Sequence, residues 1–389
     1  MTLTSDRAVV ADVDVSPEAL AAVTAEVAST AAEYDRSGGV PWKGLEAAHR
    51  AGLLTASVGS QFGGPGLGLV DTARVLVALG EGDASVGLLA ANNLNTHQGQ
   101  AANAHWPAAA YDDLLRKSQA GPALANAIRA EPELGAPARG GLPTTTARRT
   151  ADGWSLAGHK TYATGGTALA YHVVWVVTDE PVQRVGHLLV PADAPGITWV
   201  ETWDHLGLRA SNTHDVVYDD VPVPLENFVE IPRGADGVYR DPAAVAGPGS
   251  FGHPALYLGV ARAARSAFVA YAQERVPTAL GRPIATTERI QTVAGEIEAQ
   301  VAQAEALLFG TLLRLEAGHD VGAQLSVVKT QIARSVVAAV QTAVAALGNP
   351  ALARKNPLER HLRDVLCVRI HPPQQDTALL AAGRRILGQ

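Results

Sequence analysis

One cysteine, one methionine and five lysines are all that this chain of 389 residues holds of those types. A lone Cys367 excludes an intramolecular disulfide and a thiolate metal cluster. Its place inside a helical pattern suits a buried structural thiol better than a nucleophile. The lysine scarcity leaves arginine as the main cation among 31 basic residues, and it carries no functional reading. Positive charge is not in excess. A net charge of −7 and a pI near 5.9 argue against nucleic acid as a partner, because that role needs a basic face. No apolar run near the N-terminus reads as a signal peptide or a membrane span, so the expectation is a cytoplasmic protein with no membrane partner.

What remains is a globular composition. Hydrophobic content of 47% with 18% charged residues excludes wholesale disorder, and the length suggests two or three domains. The patterning divides them at about Ala120 and Val245. Residues 1–120 read as helical. Ser16 is a good N-cap for a helix to about Tyr34, a turn follows at Asp35 to Gly39, and further helices are expected from Pro41 to Arg50, Val70 to Leu79 and Ser85 to about Asn103. The last of these carries Asn92, Asn93, Asn95, Thr96, His97 and Gln98, a polar face suited to solvent or to a ligand cavity. The glycine-rich stretch from Phe62 to Gly68 lacks the lysine and hydroxyl of a phosphate loop and reads as an interhelical connection.

Residues 121–245 change period. Short β-rich runs lie at Thr144 to Arg149, Trp154 to Leu156, Val173 to Thr178, Gly186 to Val190, Ile197 to Glu201 and Val216 to Tyr218, with a hairpin signal at Asp152-Gly153. With no helices between them, they predict an antiparallel barrel or sandwich. After a Gly/Pro-rich linker at Gly247 to Gly252, residues 246–389 read as an antiparallel helical bundle, with long helices from Leu256, Thr287 and Gly322. Near the end, Leu358 to Asp364 forms the last turns of an amphipathic helix. Pro372-Pro373 breaks it, and helical spacing resumes at Thr377. His371 thus sits at a corner between two helices.

Several local motifs occur in a fixed order: Glu33-Tyr34-Asp35-Arg36, Ala51 to Leu54, Phe62-Gly63-Gly64, Gly158 to Gly166, Leu206 to Ser211 leading into Asp219 to Pro224, Leu280 to Ile284, Gln341 to Gly348, and Pro357 to Asp364. In this order they resemble the acyl-CoA dehydrogenase superfamily of flavoproteins over nearly the whole chain. The resemblance implies an α+β fold: an N-terminal helical domain, a middle antiparallel β-barrel and a C-terminal four-helix bundle. It also implies bound FAD, with FMN as the alternative. Tyr162 and Thr164 would lie against the flavin ring, Asn126 beside it, and Arg275 and Arg282 near the flavin phosphates. Gly348 would belong to a loop that reaches a neighbouring subunit's flavin in a homo-oligomer, a dimer or tetramer.

The resemblance also implies a glutamate as general base, supplied at the position of His371 or Pro372, or in a second branch near Gly249 and Ser250. Neither region has a carboxylate. Members of this superfamily that lack the base include monooxygenases. These take reduced flavin from a separate reductase and hold a C4a-hydroperoxide that oxygenates a small molecule or natural product. The dibenzothiophene and amine N-oxygenating enzymes are the nearest in character, and they point to His371, His97 and Thr164 as catalytic residues. The alternatives are an acyl-CoA or acyl-carrier dehydrogenase with a non-glutamate base, and a non-catalytic flavin-binding scaffold.

Overall fold

The computed structural model describes residues 13–134, 142–235, 237–239 and 251–389. The linker at Gly247 to Gly252 lies mostly outside them, as do the boundary at Val245 and the positions Gly249 and Ser250. Among the described residues five helices come first: α1 (Pro17–Ser37), α2 (Trp42–Arg50), α3 (Leu69–Gly82), α4 (Ala84–Ala102) and α5 (Ala108–Ala120). Ser16 caps α1 by accepting from the Ala19 amide at 3.3 Å. Gly38 ends it in the left-handed region at φ 71°, so the expected turn at Asp35 is instead helix to Ser37. The Phe62 to Gly68 stretch is a connection between helices, as expected.

Eight strands follow among the described residues: β1 (Leu124–Ile128), β2 (Thr146–Arg149), β3 (Gly153–Ala163), β4 (Leu169–Thr178), β5 (Val185–Pro191), β6 (Ile197–Val200), β7 (His214–Pro224) and β8 (Phe228–Glu230). They form one sheet in the order β6-β7-β3-β2-β4-β5-β8, with β1 also on β4. Most ladders are antiparallel, including the β2–β3 hairpin at Asp152-Gly153. Two are parallel, β1 with β4 and β2 with β4, so the purely antiparallel expectation needs correcting. Parallel pairing comes from long crossovers, which local alternation does not report.

The third region holds α6 (Gly252–Glu274), α7 (Glu288–Glu316), α8 (Leu325–Leu347), α9 (Asn349–Leu352), α10 (Leu358–Leu366) and α11 (Gln375–Ile386). Thr287 caps α7. The stretch Gly322–Leu347 is long and apolar enough to cross a bilayer, and half of it is buried against the rest of the chain. Cys367 is buried, as its helical setting suggested, and burial pushes its thiol up to about 12.

Three of the sequence motifs meet at one joint. Arg363 forms a bidentate ion pair with Asp35, at 2.8 and 2.7 Å, and also holds Glu359. Arg209 Nε donates to the Asp35 carbonyl at 2.8 Å. The Leu208 amide donates to Asp364 at 2.7 Å. Gly207 lies so close to the Arg363 backbone that a Cβ there would come within 2.4 Å of its carbonyl oxygen. The β-sheet loop from Leu206 to Ser211 is therefore fixed against both α1 and α10. Most of these groups are well buried, which makes the charge-assisted bonds stronger than exposed equivalents.

Candidate active site

The first group of site residues sits where β3 ends. The β3–β7 ladder is irregular between Lys160 and Ala163. Within that irregularity Tyr162 takes φ 55° and turns its ring outward, leaving it 63% exposed. A bulky residue in the left-handed region is an outlier that the fold must hold in place. Two ties hold it here. The Thr161 amide donates to the Ala130 carbonyl at 2.9 Å. Lys160 is fully buried and donates to Glu131 at 2.7 Å and to the Trp175 carbonyl at 2.6 Å.

Asn126, on β1, donates through its side-chain amide to the Thr164 carbonyl at 2.8 Å. Ser211, Thr213 and Thr164 form a run of hydroxyls at 2.7 and 3.1 Å. Thr213 donates to Thr164, so the Thr164 hydroxyl proton is left to point away from this run. The structure thus brings Asn126, Tyr162 and Thr164 together and adds Ser211 and Thr213, for which the sequence suggested no role. An exposed aromatic face beside a free hydroxyl donor and an amide fits one face and one polar edge of a flavin ring.

The second group is the helix corner. His371 Nε2 lies 2.7 Å from the Tyr257 hydroxyl. Its ring stacks on His253, with centroids 4.2 Å apart and planes 12° from parallel. Lys329, on α8 and only 3% exposed, donates to the His371 carbonyl at 3.1 Å and also to the Pro372 carbonyl. Burial and the Lys329 charge hold the His371 imidazole down to about 3. Burial, His371 and Lys329 hold His253 well below its ordinary value. Tyr257 is pushed well up, chiefly by burial. At neutral pH this is a neutral corner with one fixed cation behind it. A cavity of about 380 Å³ opens beside it, lined by Lys329, Arg334, Arg369, His371 and Gln375 among others, with no carboxylate among the described residues of its wall.

Neither His253 nor Tyr257 stood out in the sequence, although their spacing of four places them on one face of α6. Lys329 had one available signal: a lysine inside the apolar pattern of α8.

The remaining candidates lie apart. His97 is fully buried against α5, 3.0 Å from the Tyr111 hydroxyl, and its Nε2 has no partner among the described residues. Burial holds it down to about 4. The polar residues around it largely tie the domain together. Asn93 donates to the Leu54 carbonyl and accepts from the Ala125 amide, and Gln100 accepts from the Trp106 amide. Arg275 and Arg282 are exposed on a loop closed by the Ile284 amide donating to the Arg275 carbonyl. Arg289 bonds the Ala346 carbonyl, which puts Gly348 at the same end of the bundle. Lys329 and Gly348 lie at opposite ends of α8, about 28 Å apart at roughly 1.5 Å per residue. Gly348 and His371 therefore do not share one site within a single chain.

Three family profiles match the chain: the acyl-CoA dehydrogenase N-terminal domain over residues 15–103, the middle domain over 127–221 and the C-terminal domain over 248–386. A putative acyl-CoA dehydrogenase, YdbM, from Bacillus subtilis (strain 168) is 30% identical over 368 residues, covering 93% of this chain and 94% of that protein. L-evernosamine nitrososynthase from a Micromonospora species is 33% identical over 269 residues, covering 66% of this chain and 61% of that protein. Among solved structures, KijD3 in complex with FMN and dTDP-3-amino-2,3,6-trideoxy-4-keto-3-methyl-D-glucose superposes with a TM-score of 0.80. It is 28% identical and covers 97% of this chain and 95% of that one.

Proposed function

Since this chain belongs to the acyl-CoA dehydrogenase family, whose members are flavin-dependent oxidoreductases, we propose that it is a flavin-dependent monooxygenase acting on a small molecule. The observation that carries this reading is the corner. The superfamily resemblance leads one to expect a glutamate at the position of His371 or just before α6. Here the corner and the start of α6 meet, and each brings an imidazole, stacked at 4.2 Å. No carboxylate touches His371 among the described residues, so the abstraction of a proton α to a thioester has no evident base. The likeness to a nitrososynthase and to KijD3, which was solved with an amino-sugar nucleotide, supports a nitrogen-bearing substrate as the first class to test.

FAD or FMN, when bound, supplies the two-electron chemistry and the reaction with O2. The protein's part is assigned as follows. Tyr162 covers one face of the ring, and Thr164 and Asn126 meet its polar edge. Arg275, Arg282 and Gly348, at the far end of the bundle, serve the flavin phosphates of a neighbouring copy in a homo-oligomer. His371 uses Nε2 on Tyr257 and keeps Nδ1 for the substrate side. A neutral imidazole tied through one nitrogen to a neutral phenol can donate or accept a hydrogen bond with the other near neutral pH. The reduced flavin comes from a separate reductase. His97 acts through packing, by holding Tyr111 and hence α5.

YdbM favours a second reading, thioester dehydrogenation with His371 as base. A nitrogen base held near pKa 3 is weak for that task, which counts against it. One experiment separates the two. Purified protein is given a generic flavin reductase, NADH and a panel of amines and aromatics, and oxygen uptake and product mass are recorded. In parallel, the flavin-loaded protein is mixed anaerobically with acyl-CoA thioesters. Substrate-dependent gain of one oxygen atom supports the monooxygenase. Flavin bleaching by a thioester, with no oxygenated product, replaces it with the dehydrogenase.

A further inference from the structure

Lys329 is one of five lysines in the chain and one of two with almost no exposure. The other, Lys160, is neutralised by Glu131. Lys329 has no carboxylate partner among the described residues. Its acceptors are the carbonyls of His371 and Pro372, which follow one another in the chain. A buried ammonium without a counter-ion is costly to hold, and burial lowers its affinity for its proton, to about 8. A methionine of similar length would fill the same space in α8 without that cost. The charge therefore needs a reason, and its two acceptors lie in the backbone that carries His371.

The geometry points to Lys329 as a positioning residue. Its ammonium bridges two consecutive carbonyls of the corner, fixes where the His371 ring lies, and sets a positive charge directly behind it. The inference rests on the reading of His371 as the working group of the site. Two consequences follow. The imidazole is registered against His253 and Tyr257, because rotation of the 371–372 backbone breaks both ammonium bonds. Protonation of either imidazole is also opposed by a charge that belongs to the fold.

Hydrogen exchange of the full-length protein, followed by mass spectrometry, tests this without substrate or oxygen. Its failure is therefore separate from failure of the proposed reaction. In Lys329→Met at pH 7, the peptide spanning residues 367–378 should exchange roughly tenfold faster, since one net hydrogen bond corresponds to about that factor. The rest of α8 should be unchanged. A second comparison uses pH. Between pH 7 and 9.5 the wild-type corner should tighten, after correction for intrinsic exchange, because opening to water returns Lys329 to its ordinary, higher affinity for a proton, so loss of that proton favours the closed form. Lys329→Met should show no such change.

The other groups facing the corner stay fixed in this window. His253 and His371 are already neutral, Tyr257 is raised well above 10, and Cys367 is raised to about 12. The guanidinium groups of Arg334 and Arg369 also line the cavity there. Asp364 lies near 7, at the lower edge, and is present in both proteins. Three results would overturn the inference: unchanged exchange of the corner in Lys329→Met, loosening of the whole bundle, or a wild-type corner indifferent to pH.

Discussion

The strand end and the helix corner solve the same problem in opposite ways. At the strand end the polar groups are paired with one another, the ring of Tyr162 is exposed, and the unusual feature is a backbone angle. At the corner the rings are packed together, the backbone is held from behind, and the unusual feature is a charge without a counter-charge. The first arrangement is made to be covered by something flat. The second keeps neutral nitrogens neutral. A site that needs a platform and a proton-handling group gains from building them on separate elements, because each can be strained without disturbing the other. The joint at Leu208 and Asp364 ties the loop that carries Ser211 to α10.

The comparison breaks most visibly at His371. His371→Ala should lower product formation by about 100- to 10,000-fold. Flavin binding should persist, and oxygen uptake should turn into hydrogen peroxide release. Product formation at the wild-type rate with no extra peroxide would make the corner purely structural. Thr164→Val probes the other half. Loss of one hydroxyl donor should weaken flavin binding by roughly tenfold, read by equilibrium fluorescence titration, with turnover at saturating flavin changed much less. If instead turnover falls and affinity holds, the division of labour between platform and corner is wrong.

The joint can be tested by pH. Burial pushes the Asp364 carboxyl up from 3.8 to about 7. An acid raised in this way holds its proton more tightly folded than unfolded. It therefore contributes stability that is full below about pH 4 and drains away as pH rises towards 7. Asp364→Asn keeps an acceptor for the Leu208 amide and cannot ionise. Its melting temperature should rise relative to wild type as pH goes from 5 to 7, by a few degrees. A parallel pair of curves would show that Asp364 does not titrate there. The smallest effect is expected at His97. His97→Phe should leave product formation within about twofold and cost roughly 1–2 kcal/mol of stability by stranding the Tyr111 hydroxyl. A loss of activity approaching that of His371→Ala would move His97 into the site.

Legibility in the sequence followed the range of the interactions. The Gly158 to Gly166 segment stood out through its likeness to a family motif, while strand patterning reached only Trp154 to Leu156 of the strand that runs on to Ala163. His371 was visible because two prolines mark the corner. Its partners were not: the Tyr257 bond spans 114 residues and the Lys329 bond 42, distances over which no periodicity speaks. The polar stripe on α4 was visible, but its meaning was not. Whether Asn93 meets water, a ligand or a neighbouring backbone depends on what packs there, and the answer is the Leu54 carbonyl and the Ala125 amide. Helix α5 escaped notice because Pro107 caps it without a side-chain bond and its first turn is only alanine and tyrosine.

The buried pair of Lys160 and Glu131 has a consequence for how the sheet assembles. Lys160 stands on β3 two residues before Tyr162, inside an apolar layer. If β3 slid along β7 by a single residue, every side chain would change faces, and the ammonium would be carried away from its carboxylate. A slide of two would keep the faces but leave a bare cation and a bare anion in the interior, each costing several kcal/mol. The pair is therefore a keyway as well as a bond. Of all the alignments that β3 could try, it admits one, and that alignment puts the tyrosine ring at the open end of the strand.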